Sequence, residues 1–398
     1  MTSFHKLSKP QQFDWLINNT ALDNEQIQLL QSQSDWAKQM EPFSENVIGA
    51  MSLPLSIVPN VIIDGISHHV PISVEESSVV ASLCNAAKIA HQFGHLTTTN
   101  EPSYIIAQIF IPSRFLFKPK EIMKNKTEII TRLNNTVSQS MFRRGGGVLN
   151  IEATNQSEGG LIKLEINPCD AHGANLACQV AEQCRVNLIA QQLISGGYAI
   201  LSNQMHSLTT AQLTLKGLDP KIVDYMTDMS LFAQSSSARA VTHNKGIMNG
   251  IDGLLVATGN DWRANASNCI DYAAKNGPLS TWTSNQPGEL VGTIKIPIQL
   301  GVVGGLTSAH PVCELALSLL NKPNRDRLER ITAAIGLLQN FAALKAIGSH
   351  CLVSGHMRLH LTNRLIQSNK ATSDCNIQQL KDRLSQNGYI TQDDINDL

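Results

Sequence analysis

The sequence predicts an α+β protein: a large, mainly helical domain, a ferredoxin-like domain inserted into it, and a small helical tail. Three observations carry that reading. Residues 104–215 run strand, helix, strand, strand, helix, strand, the βαββαβ order of a split βαβ plan. The segment that follows is rich in Gly and Ala and ends in a long helical pattern from about Arg325 to Ile347. At 398 residues the chain exceeds one compact core, and roughly two or three domains are expected. The cuts fall at 1–103, with an arm over 1–40, then 104–215, 216–351 and 352–398.

Taken in order, residues 10–40 read as a polar helical arm with Leu16, Leu22, Ile27, Leu29 and Leu30 as intermittent apolar positions. Val61 to Gly65 is β-like. Ser77 to Gln92 reads as a helix because Val80, Leu83, Cys84 and Ala87 recur at three- and four-residue steps, with Gly94 as its stop. The inserted segment follows as a strand over Tyr104–Ile111, a helix over about Lys120–Met141, strands over Val148–Ala153 and Leu161–Asn167, a helix over about Gly173–Ile194 and a strand over Tyr198–Ser202. In the fourth element Ile162, Leu164 and Ile166 alternate with Lys163, Glu165 and Asn167, as a half-buried strand requires. In the tail, Leu380–Gln386 is a short amphipathic helix ended by Gly388, and Thr391-x-x-Asp394 offers a cap. Attached beside Gly355-His356, this tail could move as a lid.

Composition narrows the function classes. Charged residues make up 16 % and apolar ones 42 %, against ~25 % charged in ordinary soluble domains. Disorder is excluded and extensive buried interfaces are implied. A formal net charge of −1 supplies no global field for nucleic acid or an anionic membrane. The eight cysteines contain no C-x-x-C pair and no zinc-type spacing, so they read as reduced thiols and no metal site is expected. The first ten residues hold no signal-like apolar run, and the most apolar stretch, Ile296–Ala309, is short and broken by Gln299 and glycines. The expectation is a soluble, cytoplasmic protein.

Four polar clusters stand in apolar, glycine-rich surroundings: Glu75-Glu76-Ser77-Ser78, His243-Asn244-Lys245-Gly246, Gly259-Asn260-Asp261-Trp262-Arg263 and Gly355-His356-Met357. Two acids, an amine and an imidazole form an acid-base set. Each alone also fits an ordinary role: Glu76 as an acid at a helix start, Lys245 as a solvated lysine, Asp261 as a cap, His356 as a surface histidine. Asp170-Ala171-His172-Gly173-Ala174-Asn175 follows a strand and opens a helix, so its backbone N–H groups could receive a pyrophosphate or simply form a tight turn. It is not the Rossmann fingerprint, because G-x-G-x-x-G occurs nowhere in the strand-turn-helix context. Gly301 to Thr307 is a second Gly-rich turn, structural on its own.

In this order the segments resemble the soluble bacterial, class II, 3-hydroxy-3-methylglutaryl-CoA reductases. The resemblance runs through Glu45-Asn46-Val47-Ile48-Gly49, Glu75-Glu76, the Asp-Ala-x-Gly-x-Asn turn at 170–175, His243–Gly250, Ala257–Ala264, Gly301–Pro311 and Gly355–His360. The block from Arg239 to Arg263 is its most specific part. It implies an inserted ferredoxin-like domain that binds the nicotinamide dinucleotide, a mobile C-terminal flap, and a homodimer with active sites at the subunit interface. The implied reaction reduces a CoA thioester to mevalonate and free CoA with two hydride equivalents, through a mevaldyl-CoA hemithioacetal and mevaldehyde, or runs in reverse.

Carried over by residue, the resemblance makes Lys245 the amine that stabilises the oxyanion and Asp261 the acid that holds that lysine. Glu76 becomes the general acid and base, and His356 the flap residue that protonates the departing CoA thiolate. Arg239, Asn249 and Ser78 would line the substrate pocket. Asp170, Gly173 and Asn175 would belong to the dinucleotide site. His172 stands where the family has methionine, and is read as packing. Ser138 stands where an NADH-preferring relative has an aspartate for the ribose, with Arg143 and Arg144 nearby, so NADPH is expected ahead of NADH. Two rival readings are a CoA-thioester acyltransferase and a non-catalytic CoA- or nucleotide-binding protein on the same fold. The first lacks a cysteine in an activating cluster, and the second would have lost the catalytic set, which is present here.

Overall fold

A computed structural model describes residues 4–348, 361 and 364–398. It contains two compact units, Met1–Pro54 and Leu55–Leu398. The first holds the arm as three helices, α1 (Lys9–Asn19), α2 (Asn24–Ser32) and α3 (Ser34–Met40). Capping boxes start α1 at Ser8 with Gln11 and α2 at Asp23 with Gln26, so the polar residues between them punctuate what reads as one helical run. Leu16 and Ile27 are buried, whereas Leu29 is exposed.

The second unit opens with a hairpin, β1 (Leu55–Ile63) and β2 (Ile66–Ser73), turned at Asp64-Gly65 with both residues at positive φ, 52° and 77°. Residues 74–78 lead into α4 (Val79–Phe93), whose Val79, Leu83, Ala86, Ala87 and Ala90 are buried. The helix passes directly into β3 (Gly94–Asn100). Gly94 is therefore a strand residue as well as a stop. A Cβ there would lie 1.9 Å from the Thr214 carbonyl oxygen, so only glycine lets β3 close on its neighbour.

The inserted segment follows: β4 (Ile105–Pro112), α5 (Pro119–Lys124), α6 (Lys126–Asn135), α7 (Gln139–Arg143), β5 (Gly147–Gln156), β6 (Gly159–Asn167), α8 (Ala174–Ala190) and β7 (Tyr198–Ser202). Its sheet has the order β5-β6-β4-β7 with every pair antiparallel, the split βαβ arrangement. It has its own core, from Ile105 to Ile194, in which Ile162, Leu164 and Ile166 of β6 are fully buried. The helix expected over Lys120–Met141 is three helices. Asn125 breaks it first, and then the Thr136 hydroxyl donates to the Arg132 carbonyl and the Ser138 hydroxyl to that of Leu133, local bonds that compete with the helical ladder. The last insert helix stops at Ala190 because Gln192 takes φ 57°.

The chain returns to the large core at β8 (Thr209–Lys216), ahead of the residue 215 expected for the boundary. Next come α9 (Pro220–Ser235), α10 (Ser237–Ala257), α11 (Trp262–Asn276), β9 (Ser280–Thr283), β10 (Glu289–Ile296), α12 (Leu306–Ala309), α13 (Pro311–Leu319) and α14 (Arg325–Gly348). A second antiparallel sheet, β3-β8-β10-β9, packs its inner face on α14. By length and composition α14 could cross a membrane, but its residues from Leu328 to Leu344 are mostly buried inside the large core. In the tail, helices Asp374–Asn387 and Gln392–Asn396 share a small cluster with Leu361 and Leu365, with Gly388 and Thr391 capping as expected.

Two polar clusters pin this core. Arg327 of α14 donates to Asp64 Oδ2 and His68 Nε2, both at 2.6 Å, and to the Ile63 carbonyl, tying the hairpin to the helix. Deeper, Asn340 Oδ1 accepts from Trp282 Nε1 at 2.7 Å and Ser280 Oγ at 2.9 Å. Gly292 faces the Trp282 ring, which a Cβ would meet at 2.3 Å.

Candidate active site

Helix α10 is the spine of the site. Its Ser236 cap bonds the Arg239 N–H. One face carries His243, Ile247, Gly250, Ile251 and Leu254 into the core. Gly250 lies against Ile335 and Gln339 of α14, and Gly253 lets the helix close on β2, since a Cβ there would be 2.8 Å from Ile72. This approach brings the next face of α10 against the 74–78 loop. There Glu76 Oε2 accepts from Lys245 Nζ at 2.8 Å and from Asn249 Nδ2 at 3.3 Å. Lys245 and Asn249 are one turn apart on the same face, and the pair is accessible, with side-chain exposures of 61 % for Lys245 and 38 % for Glu76. An amine and an amide converging on one carboxylate can hold an oxyanion and move a proton. Ser78, two residues from Glu76, caps α4 in a left-handed conformation, φ 77°.

His243 fixes the rotation of α10. Its Nε2 lies 2.8 Å from Ser280 Oγ, and that hydroxyl gives its proton to Asn340, so Nε2–H is the donor. Burial, together with the Arg239 charge, pushes the His243 pKa down to about 4. Burial and the Arg327 charge do the same to His68. Arg239 thus sits on the His243 side of α10. Among the described residues, Glu76 has its polar contacts with Lys245 and Asn249 and not with Arg239.

A pH dependence follows from the two imidazoles. Both are neutral when folded, with pKa values near 4 against an ordinary 6.5. As pH falls below 6.5 the unfolded chain takes up these protons first. The stability they supply is therefore complete above pH 6.5 and is lost progressively towards about 4. Thermal melting between pH 7 and 4.5 should show a falling Tm whose slope above pH 5 is flattened in a His68→Gln/His243→Gln double variant. An unchanged slope in that variant would count against the account.

Asp261 stands elsewhere. Its Oδ1 caps α11 by accepting the Ala264 N–H at 3.0 Å, and its carbonyl accepts from Asn265. The ion pair of Lys245 among the described residues is with Glu76. The expected hold of Asp261 on Lys245 is absent within one chain for a geometric reason: Lys245 lies far up α10, which ends at Ala257, roughly 18 Å along the axis at 1.5 Å per residue. The group Asp261 does act on is His172. Burial lowers that imidazole's pKa and the Asp261 charge pulls it back. His172 faces a small cavity lined also by Ile105, Met205, Asn265 and Asn268.

The Asp170–Asn175 turn joins β6 to α8. Gly173 caps α8 at φ 92°, where a Cβ would strike Pro168 at 2.5 Å, and the N-terminal backbone of this 17-residue helix follows with Asn175 exposed. The second glycine-rich turn lies directly on it. A Cβ at Gly301 would meet the His172 nitrogen at 2.4 Å, Val302 N donates to the Asp170 carbonyl at 2.8 Å, and Ala171 bridges Val303. The turn read as structural is thus the floor of the turn read as functional. Such a backbone cradle suits a pyrophosphate. Asp170 itself is exposed, and its Oδ1 accepts the Arg325 N–H at 3.1 Å.

Arg143 and Arg144 end α7 exposed beside this turn, for Cys169 Sγ rests 3.7 Å from the Arg144 carbonyl oxygen. Ser138 is not available to a ligand. It is 1 % exposed and its hydroxyl donates to Leu133 O and Asn134 Oδ1, so its part is to close the break in the helix and not to face a ribose. His356 lies outside the described residues.

Sequence reasoning did not pick out Asp252. It lines an apolar groove of about 740 Å³ between α10 and α11, which Lys245 also lines, and burial pushes its carboxyl up to about 6. An acid at the seventh position after Lys245 on one helix face was the available signal.

A family model described as hydroxymethylglutaryl-coenzyme A reductase matches residues 11–361. The 3-hydroxy-3-methylglutaryl-coenzyme A reductase of Archaeoglobus fulgidus is 36 % identical over 388 residues, covering 93 % of this chain and 87 % of the relative. The solved enzyme of that name from Streptococcus pneumoniae superposes with a TM-score of 0.72 at 32 % identity, covering 87 % of this chain and 98 % of the other. A class II structure from the same organism, bound to NADPH in open conformations, superposes equally well, at 0.72 and 31 % identity over 87 % of this chain and 99 % of the other.

Proposed function

The chain belongs to the hydroxymethylglutaryl-coenzyme A reductase family and is an oxidoreductase that reduces 3-hydroxy-3-methylglutaryl-CoA, and we propose that Glu76, Lys245 and Asn249 carry that reaction. The observation behind this assignment is their convergence on one carboxylate oxygen. A bound NAD(P)H supplies the hydride, twice per thioester, so that one thioester, two NAD(P)H and two protons give mevalonate, free CoA and two oxidised nicotinamides.

Lys245 holds its ammonium against the carbonyl oxygen as negative charge builds there, in both reductions. Asn249 donates to the same oxygen and keeps Glu76 oriented. Glu76, hydrogen-bonded to Lys245, protonates the alkoxide of the first reduction, takes that hydroxyl proton back as the hemithioacetal collapses, and gives it to the alkoxide of the second; solvent restores it once per turnover. When the hemithioacetal collapses, the C–S bond breaks and His356 gives its proton to the leaving thiolate. Arg239 and Ser78 are assigned to the substrate's carboxylate side. These steps need no metal.

The dinucleotide is assigned to the turn Asp170, Gly173 and Asn175 on the inserted segment, cut at 104–215 from sequence. Gly173, at φ 92° and packed on Pro168, opens the 17-residue helix α8, and a helix N-terminus at a glycine turn suits a pyrophosphate, which supports that assignment. Arg143 and Arg144 lie beside the turn and favour NADPH over NADH. Ser138 is dropped from the cofactor set because it is buried. The distance from Lys245 to Asp261 within one chain supports a homodimer in which the partner's Asp261 completes the site. The protein is read as soluble and cytoplasmic.

The direct test follows nicotinamide absorbance with 3-hydroxy-3-methylglutaryl-CoA, NADPH and NADH in parallel. Substrate-dependent oxidation at about two nicotinamides per thiol released, faster with NADPH, is expected. Thiol release without nicotinamide oxidation would instead identify an acyltransferase, and neither signal would identify a binding protein.

A further inference from the structure

The buried acid that the reaction leaves unused is Glu329, 0 % exposed on α14. Its Oε2 accepts from Asn100 Nδ2 at 2.6 Å, its Oε1 accepts from the Leu300 N–H at 3.2 Å, and Arg325 Nε lies 3.9 Å away. Burial raises the carboxyl's pKa, and these three neighbours, all donors, oppose that shift. Each leads to a different part of the base of the inserted sheet. Asn100 closes β3 just before the chain leaves for the insert, and its Oδ1 accepts from Thr209, the first residue after the return, at 2.8 Å. The Arg325 side chain reaches the Ser103 carbonyl in the outgoing connection, and its backbone N–H holds Asp170. Leu300 precedes Gly301, on which His172 rests and whose N–H is held by Asn260 Oδ1 at 2.8 Å, one residue before Asp261.

We propose that Glu329 is a positioning residue for cofactor binding, a single carboxylate that fixes both connections of the insert and the glycine-rich floor, and so sets where the Asp170–Asn175 turn stands relative to Asp261. This rests on the assignment of that turn to the dinucleotide. Among the described residues no hydrogen bond or ion pair joins Glu76, Lys245 or Asn249 to this network, so the effect is confined to one substrate.

The test measures Kd for NADPH by nicotinamide fluorescence, and KM for NADPH and for 3-hydroxy-3-methylglutaryl-CoA, in Glu329→Gln, Leu328→Ala and Asn175→Ala. Glu329→Gln should raise Kd and KM for NADPH on the order of ten-fold, with the KM for the thioester unchanged. Leu328→Ala, which removes buried packing on the same helix without touching the network, should lower Tm and leave both NADPH constants unchanged. Asn175→Ala should weaken NADPH through the turn itself. The proposal is overturned if Asn175→Ala weakens NADPH and Glu329→Gln does not, or if Leu328→Ala weakens it as much. Should Asn175→Ala leave NADPH binding intact, the turn assignment fails and takes the proposal with it. If Glu329→Gln does not fold, Thr209→Val, which cuts only the Asn100 link, decides: weaker NADPH binding supports the proposal, and wild-type binding overturns it.

Discussion

Lys245→Ala is expected to lower kcat by at least about 10³-fold while leaving the thermal transition near that of the wild type. The two halves of this expectation have separate causes. The Lys245 side chain is 61 % exposed and its ion pair with Glu76 is open to solvent, so its loss costs the fold little. Its catalytic value arises only when a carbonyl oxygen becomes an oxyanion beside the ammonium, with substrate excluding water. Alanine leaves Asn249 as the remaining donor on α10, and it leaves Glu76 without the cation that keeps its charge in place. A matched loss with the thioester and with free mevaldehyde is expected, because both reductions build charge on the same oxygen. Near-normal rates on either substrate would remove Lys245 from the centre of the mechanism.

Much of the fold was legible because it is local. The alternation of Ile162, Leu164 and Ile166 states a half-buried strand, and all three are fully buried. The helical spacing around Leu83 and Ala87 states one face of α4. What failed were features that depend on hydrogen bonds made across turns. Asn125, Thr136 and Ser138 look tolerable inside a helix from 120 to 141, yet the non-helical backbone at Asn125 and the local bonds of Thr136 and Ser138 divide it into three. Gly94 reads as a helix stop and is also the residue that admits the Thr214 carbonyl, which only the register of β3 on β8 reveals.

The site divides in the same way. Glu76 and Lys245 are 169 residues apart, and no spacing rule joins them; the resemblance did, and the close approach at Gly253 explains how. Ser138 stands where the resemblance puts a ribose contact, yet it is enclosed by its own helix break. Glu329 gave no sign, since an acid in Arg-Leu-Glu-Arg reads as a solvated face. Its burial follows from α14 being central to the core, a tertiary fact that overrides the local pattern.

Asp261 yields the last and most discriminating expectation. If it serves the Lys245 of the partner, then Lys245→Ala and Asp261→Ala are each inactive alone and complement each other when mixed. In a dimer of one Lys245→Ala chain and one Asp261→Ala chain, one site carries both lesions and the other carries neither. Random reassortment makes half of the dimers mixed, so about one quarter of wild-type activity should return on co-refolding or co-expression. If Asp261 instead served the lysine of its own chain, every site in the mixed dimer would carry one lesion and no activity would return. The same silence would follow if the protein acted as a monomer. The capping bond to Ala264 gives the control: Asp261→Asn retains an oxygen acceptor for that N–H and so preserves α11, while removing the charge. An Asp261→Asn chain that melts like the wild type, is inactive alone and is rescued by Lys245→Ala would separate a catalytic acid supplied across the dimer from a helix cap whose loss merely loosens the fold.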